Sequence, residues 1–381
     1  MNNVVSSEKH PIKIWASIIE EGALQQARDL ANLPFLYKWV ALMPDAHWGF
    51  GMPIGGVIAT KGVIIPNAVG VDIGCGMIAV KTSLKSISVE TIKTIIGQTR
   101  GLIPTGRYHQ PYDQDWDGFD LVPDIEILKS NIPSARKQLG TLGGGNHFIE
   151  IQQSEDGFIW LMIHSGSRNL GYGIANYFHK EAVKLNEKWF SEVKNKDLAF
   201  LPINSKEGHD YFNAMKFCLT FAQKNRELMM SNFMGMVERN TDATKIEEIN
   251  IHHNYAAFEH HYGENVIIHR KGATRARLGE LGIIPGSMGT SSYIVEGLGN
   301  PESFTSCSHG AGRMMGRRQA QRTLDLAHEQ ELMEGIVHGL RSKSNLEEAP
   351  SAYKDIDVVM EDQKDLVKIV SKLKPIGNMK G

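Results

Sequence analysis

The chain has 381 residues, with 41 Lys and Arg against 43 Asp and Glu, for a formal net charge of −2. That balance excludes a protein that holds polyanions by bulk charge, so any nucleic-acid contact must use a local basic patch. Cys75, Cys218 and Cys307 are too few for a disulfide framework and fit a reducing compartment. With no signal-like N-terminus and no apolar run of membrane-spanning length, the expected setting is the cytoplasm with no membrane partner. No low-complexity or Pro/Ser-rich linker interrupts the chain, so residues 1–381 read as one elaborated domain.

Residues 20–33, EEGALQQARDLANL, space their apolar side chains for a short amphipathic helix. Between residues 57 and 80 the runs GVIAT, GVIIP and MIAV are broken by Gly and Pro, which predicts strands joined by tight turns. Asp72 and Cys75 lie in the last of these breaks. Residues three apart in a regular strand face opposite sides. Gly74 and Gly76 can kink the backbone so that both side chains turn to one centre. Taken alone, Cys75 reads equally well as a small buried residue and Asp72 as a turn cap.

His147 follows LGGGN and opens the alternating run FIEIQ, and His164 closes FIWLMI. Both sit at strand–loop junctions, where side chains converge on a pocket. One such histidine is more often structural; several in like settings point to a ligand set. Residues 208–240 predict a long helix whose Met and Phe stripe serves core packing. Strands return at INIHHNY, NVIIHRKG and LGIIPGS. In the first of these, alternation sends His252 and His253 to opposite faces without choosing between them. After His309, the run GRMMGRRQAQRTLDLAHEQ predicts a basic helix with Arg313, Arg317, Arg318 and Arg322 within about three turns. Strands and long helices without a regular βαβ period predict a complex α+β fold.

One Asp, one Cys and several His can hold two cations while His309, in SCSHGAGR, stays free as a nucleophile. That combination points to metal-assisted nucleotidyl transfer. Gly- and Ser-rich segments at residues 143–146, 164–168, 285–292 and 309–313 expose N–H groups and hydroxyls suited to anion nests. Arg168 and Arg313 offer paired donors beside them. None of these segments matches GxxxxGK[ST] or a dinucleotide GxGxxG, which removes support from the usual NTPase and Rossmann readings.

The ordered segments MPDAHWGFGMPIGGVIAT, AVGVDIGCGM, LGGGNHFIEI, IHSGSR, HHNY, IPGSMGTSSYIV, SCSHGAGR and KPIGNMKG resemble the RtcB family of RNA-splicing ligases. The resemblance runs from about residue 43 to residue 381. It implies mixed β-sheets with flanking helices around a central metal and nucleotide cleft. The implied activity is GTP- and Mn(II)-dependent joining of an RNA 3′-phosphate or 2′,3′-cyclic phosphate to a 5′-hydroxyl, in RNA repair or tRNA splicing.

By the same resemblance, Cys75 bridges two Mn(II) ions, His164 and His253 complete one site, and Asp72 and His147 complete the other. His309 matches the histidine that takes GMP. A guanylate pocket carries over onto Asn146, His147, Phe148, Ile149 and Glu150, with Asn254 beside His253. It continues through Pro285, Gly286, Ser287, Met288 and Ser292, then Gly310, Ala311 and Gly312. Tyr353 and Lys380 match residues that contact guanine. A carboxylate at Glu150 suits guanine, whose N1–H and exocyclic amine both donate. Asp45 matches a family acid near the metals.

Arg168 and the Arg cluster after His309 are candidates for RNA phosphate contacts. An archease-type activator is a further partner that the resemblance suggests. Asn169 stands where many relatives carry Gly, and the chain is shorter than archaeal members, so its RNA-holding loops are expected to differ. Two competing classes are a binuclear metallophosphoesterase, which has no need of His309 as a nucleophile, and a non-catalytic nucleotide- or metal-binding protein.

Overall fold

The computed structural model describes residues 1–191 and 193–381. A six-stranded sheet has the order Asn3–Val5, Ile12–Ile14, Leu36–His47, Ile54–Thr60, Glu264–Lys271, Asn254–His261. Its neighbours are antiparallel except Ile12–Ile14 against Leu36–His47, which run parallel because the helix Glu21–Ala31 connects them. A seven-stranded sheet, antiparallel throughout, has the order Lys245–His252, Gly76–Thr82, Ile159–Ser165, Phe148–Ser154, Val367–Lys380, Ser292–Gly297, Leu281–Ile284. Its two edge strands pack on each other, so the sheet curls toward a barrel.

The period-2 alternation of these strands sorts side chains between the two faces of the curl. Met77, Ala79, Phe148, Trp160, Met162, Ile283 and Ile294 fill the inside. Ile78, Val80, Ile149, Ile151, Leu161 and Ile163 face outward and are covered by Met229 and Phe233 of the helix Lys206–Asn240. Each such side chain contributes about 2 kcal/mol by leaving water, which fixes that helix on the outer face. A second apolar layer, including Leu128, Ile174, Phe178 and Phe221, joins the helices Glu126–Gln138 and Arg168–Lys188 to the long helix.

The α+β expectation holds, and the predicted helices appear at Glu21–Ala31 and Lys206–Asn240. Two local readings change. Within residues 57–80 the segment Pro66–Val69 is a short helix, with Pro at the first helical position where its missing N–H costs nothing. The single basic helix is two, Arg317–Thr323 and Leu326–Glu331, and Arg313 lies before both. Extended backbone at Leu324 ends the first, and Asp325 starts the second by accepting from the His328 N–H at 2.9 Å.

Candidate metal and nucleotide site

The segment between Val69 and Gly76 makes the turn that the glycines allow. Gly74 has φ +75, and a Cβ there would lie 2.9 Å from Ala222 on the long helix, so no other residue fits without displacement. The turn closes through Cys75 N–H to Asp72 O at 3.1 Å, which brings both side chains to one side.

The expected donors meet there in an unbroken line. Asp72 Oδ2 is 3.1 Å from His147 Nε2, which is 3.5 Å from Cys75 Sγ. Cys75 Sγ is 3.2 Å from His164 Nε2, which is 3.2 Å from His253 Nε2. The Cys75, His147 and His164 ligand atoms lie within 4.8 Å of one another, while Asp72 and His253 join at the two ends. The thiol and the three imidazoles are buried, whereas the Asp72 side chain is 30% exposed.

The chemistry of this set fits a cation. His147 Nδ1 faces Leu142 O at 2.9 Å and His164 Nδ1 faces Asn146 O at 3.0 Å. A carbonyl accepts only, so both Nδ1 atoms carry the proton and both Nε2 atoms present lone pairs. Lone pairs from two rings, a sulfur and a carboxylate therefore converge, with His253 Nε2 3.2 Å from the second ring and its Nδ1 buried without a partner among the described residues. Burial holds His164 and His253 well below the ordinary imidazole pKa, the neutral state that ligation requires. Burial, then the Asp72 charge, push the Cys75 thiol up; a bound cation reverses that. Burial raises the Asp72 carboxyl, but the His147 hydrogen bond and charge outweigh it and leave it below its ordinary value.

The HH ambiguity resolves by geometry. His252, at the end of its strand, turns Nδ1 to Arg226 Nη2 at 3.1 Å, while His253 points to His164. Arg226, fully buried on the long helix, donates to Gly74 O at 2.9 Å and Ser165 O at 3.0 Å, tying together the carbonyls beside Cys75 and His164. Asn254 pins the same turn, donating to Asp72 O at 3.0 Å and accepting from the Gly272 N–H at 2.8 Å.

His309 follows the strand Ser306–Ser308 and packs edge-on to His253, with ring centroids 4.7 Å apart. Its Nδ1 lies 2.6 Å from Asp45 Oδ2, the same oxygen that accepts from the His309 N–H at 3.0 Å. Asp45 is fully buried at the end of the strand Leu36–His47. The approach is close: a Cβ on Gly312, at φ +76, would sit 2.3 Å from Asp45 O. With Nδ1 committed to the carboxylate, Nε2 of His309 is the free lone pair.

A cleft of about 500 Å³ opens beside this ring. Of the expected guanylate residues it is lined by Asn146, Phe148, Glu150, Pro285, Gly286, Ser287 and Met288, then His309, Gly310, Ala311, Gly312, Tyr353 and Lys380. Five expected residues do not line it. His147 and His253, also expected at the nucleotide, turn to the donor cluster, and Asn254 pins its turn. Ile149 faces the outer apolar layer by strand alternation. Ser292 is buried, where it accepts from Gln152 Nε2 at 3.1 Å and from the Gly286 N–H at 3.2 Å.

At one end of the cleft Glu150 accepts from Asn378 and Gln152, both at 2.6 Å. An ionised carboxylate has about four acceptor sites, so two remain. Burial pushes the Glu150 carboxyl up against the pull of Lys380. Strand register sets Lys380 opposite Phe148, with Nζ 5.0 Å from the ring centroid. Arg313 is not the free phosphate donor expected: it donates to Glu348 Oε1 at 3.1 Å, Glu347 O at 2.6 Å and Met315 O at 3.0 Å. Arg168, at φ +58, lines a separate cleft of about 410 Å³ together with Asp72 and Asn169.

Sequence reasoning missed what Asp45 touches and missed Arg226 altogether. A buried acid in MPDAH and a polar interruption in an apolar helix stripe were the available signals.

An S, N and O donor set between two clefts, buried except for the Asp72 carboxylate, with His309 beside it lining a Gly-rich cavity, has the chemistry to hold a metal ion. The chain belongs to the RtcB family: the family model described as tRNA-splicing ligase RtcB matches residues 26–124 and 122–381. It is 40% identical to the RNA-splicing ligase RtcB of Escherichia coli (strain K12), over 99% of each chain. It is 32% identical to the tRNA-splicing ligases RtcB of Thermococcus kodakarensis, over 95% of this chain and 92% of that one, and Archaeoglobus fulgidus, over 96% and 92%. Among the described residues no helix is long and apolar enough to cross a membrane.

Proposed function

We propose that this chain is an RNA ligase that joins an RNA 3′-phosphate or 2′,3′-cyclic phosphate end to a 5′-hydroxyl end, using GTP through a covalent His309–GMP intermediate. Membership of the RtcB family supports the ligase class. The observation that carries the finer reading is the Asp45–His309 contact at 2.6 Å, which engages Nδ1 and leaves Nε2 as the nitrogen open to a ligand, on a ring that packs against His253 of the donor cluster.

Asp72, Cys75, His147, His164 and His253 would hold the metal, taken as two Mn(II) ions, which supplies Lewis-acid neutralisation of phosphate charge. His309 Nε2 attacks the α-phosphorus of GTP, the bond to the β-phosphate oxygen breaks, and pyrophosphate leaves. Asp45 stabilises the charge that develops on the ring by holding the Nδ1 proton. Glu150 selects guanine through its remaining acceptor sites, and Tyr353 and Lys380 enclose the base. The phosphoramidate passes GMP to the RNA 3′-phosphate, after a cyclic phosphate has been opened by water. Attack by the 5′-hydroxyl then releases GMP and seals the strand. Arg168 and the exposed arginines of Arg317–Thr323 are assigned to RNA phosphates.

Asp45 lies on the six-stranded sheet and the donor cluster on the ends of the seven-stranded one, so residues 1–381 are proposed to act as one ligase domain. The test is incubation with Mn(II) and α-labelled GTP followed by denaturation. Acid-labile label on the chain is expected, absent with His309→Ala and not supplied efficiently by ATP. Phosphoesterase activity without label would instead indicate a metal-activated hydrolase. Turnover measured with and without an archease-type protein tests that partner.

A further inference from the structure

Beyond Asp45 the strand Leu36–His47 runs into a loop that turns two large aromatic side chains to solvent, Trp48 at 57% and Phe50 at 53% exposure. Unfastened, such a loop would fold its rings inward. It is fastened at three points. Gln26 exchanges both amide hydrogen bonds with Gly49, Nε2 to O at 2.7 Å and N–H to Oε1 at 3.1 Å. The Glu20 carboxylate accepts from the Trp48 N–H, and the buried Lys271 Nζ donates to Phe50 O and, at 3.1 Å, to Asn67 O. The indole itself rests on bare backbone: a Cβ on Gly22 would lie 3.2 Å from Trp48 Cδ1. One side of the ring is thus braced and the other is left open.

Trp48 also lines the nucleotide cleft, as do Glu20, His47 and Gln319, and Glu150 and Lys380 mark where guanine would sit. It lies three residues from Asp45, no more than about 11 Å of chain from the group that holds His309. The flanking helix Arg317–Thr323 adds charge of the right sign, because among the described residues no carboxylate pairs with the exposed Arg318 or Arg322.

We propose that Trp48 is a stacking platform for an unpaired nucleobase at the RNA end being joined. The inference rests on the ligase reading and adds to it a site for the substrate's base. A π face on a rigid loop takes any base, which suits an enzyme that reads an end rather than a sequence. Arginines of the helix that shares this cleft through Arg317 and Gln319 would track the backbone as in other single-strand grooves.

The test uses the full-length protein and short RNA ends carrying 2-aminopurine at the 3′-terminal or the 5′-terminal nucleotide. Binding is read by fluorescence without GTP. Wild type is expected to quench one of the two probes. Trp48→Leu, which keeps apolar bulk but removes the π face, is expected to abolish the quench and raise the KM for that RNA roughly tenfold. Trp48→Phe is expected to restore most of both. No quench in wild type, or an unchanged KM in Trp48→Leu, overturns the platform. So does a rise confined to the KM for GTP, because the ring would then serve the nucleotide. Absence of label from GTP would overturn the ligase reading instead, and the fluorescence arm still decides the platform.

Discussion

Asp45 and His309, separated by 264 residues, share one short contact in which a fully buried carboxylate fixes both the ring nitrogen and the backbone N–H of the histidine. In the proposed reaction the pair sets which nitrogen of the ring attacks. Asp45→Asn removes the negative charge and lets the side chain present an N–H to the ring, which favours the wrong tautomer. Self-labelling by GTP is expected to slow by about 100-fold or more, by analogy with other acid–histidine pairs. Unchanged labelling kinetics would remove Asp45 from the chemistry.

Cys75 Sγ stands against both His147 Nε2, at 3.5 Å, and His164 Nε2, at 3.2 Å. Cys75→Ala is expected to lower bound Mn(II), measured by metal analysis after dialysis, and to abolish labelling. Full metal content in the variant would contradict the shared position of the sulfur.

Glu150 keeps two free acceptor sites once Asn378 and Gln152 are satisfied. Glu150→Gln replaces an acceptor by a donor facing guanine's own donors. Loss of a charge-assisted pair predicts a 10- to 100-fold fall in preference for GTP over ATP, read as the ratio of labelling efficiencies. An unaltered ratio would place guanine elsewhere.

Glu259 and Arg270 form a buried pair on the six-stranded sheet, and Arg270 extends to Phe304 O at 3.0 Å and Ser306 Oγ at 2.9 Å, just ahead of His309. Burial raises the Glu259 carboxyl, but Arg270 and the His261 hydrogen bond outweigh it and hold it well below the ordinary carboxylate range. A depressed carboxyl contributes stability that is present above its unfolded pKa, about 4.5, and lost as pH falls toward the folded value. Glu259→Gln is expected to cost about 3 kcal/mol at pH 7, because Arg270 is left buried without its partner. The variant should also show a flatter loss of stability below about pH 4.5 than wild type. Urea unfolding across that range checks both.

Much of the donor cluster was legible because four of the five candidate ligands, Asp72, Cys75, His147 and His164, stand at Gly-marked ends of apolar or alternating runs. The face that each strand residue takes was legible only once register was known. Ile149 sits between two cleft residues in sequence and still faces the opposite layer. His253 and His252 needed the position of Arg226 on a helix that periodicity marked only as apolar. The break in the basic helix was signalled by Asp325, a capping residue inside an otherwise periodic run. Pairing of Asp45 with His309 had no local signal, since contacts closed over such separations leave no trace in spacing.

The same separation governs when the proposed site is completed as the chain is made. The five candidate donors are all in hand by His253, whereas His309, Tyr353 and Lys380 come later. The strand that carries Lys380 also lies between two others in the seven-stranded sheet, next to the strand that follows His147. The proposed chemistry therefore waits for the last residues to be synthesised, even though the donors precede them.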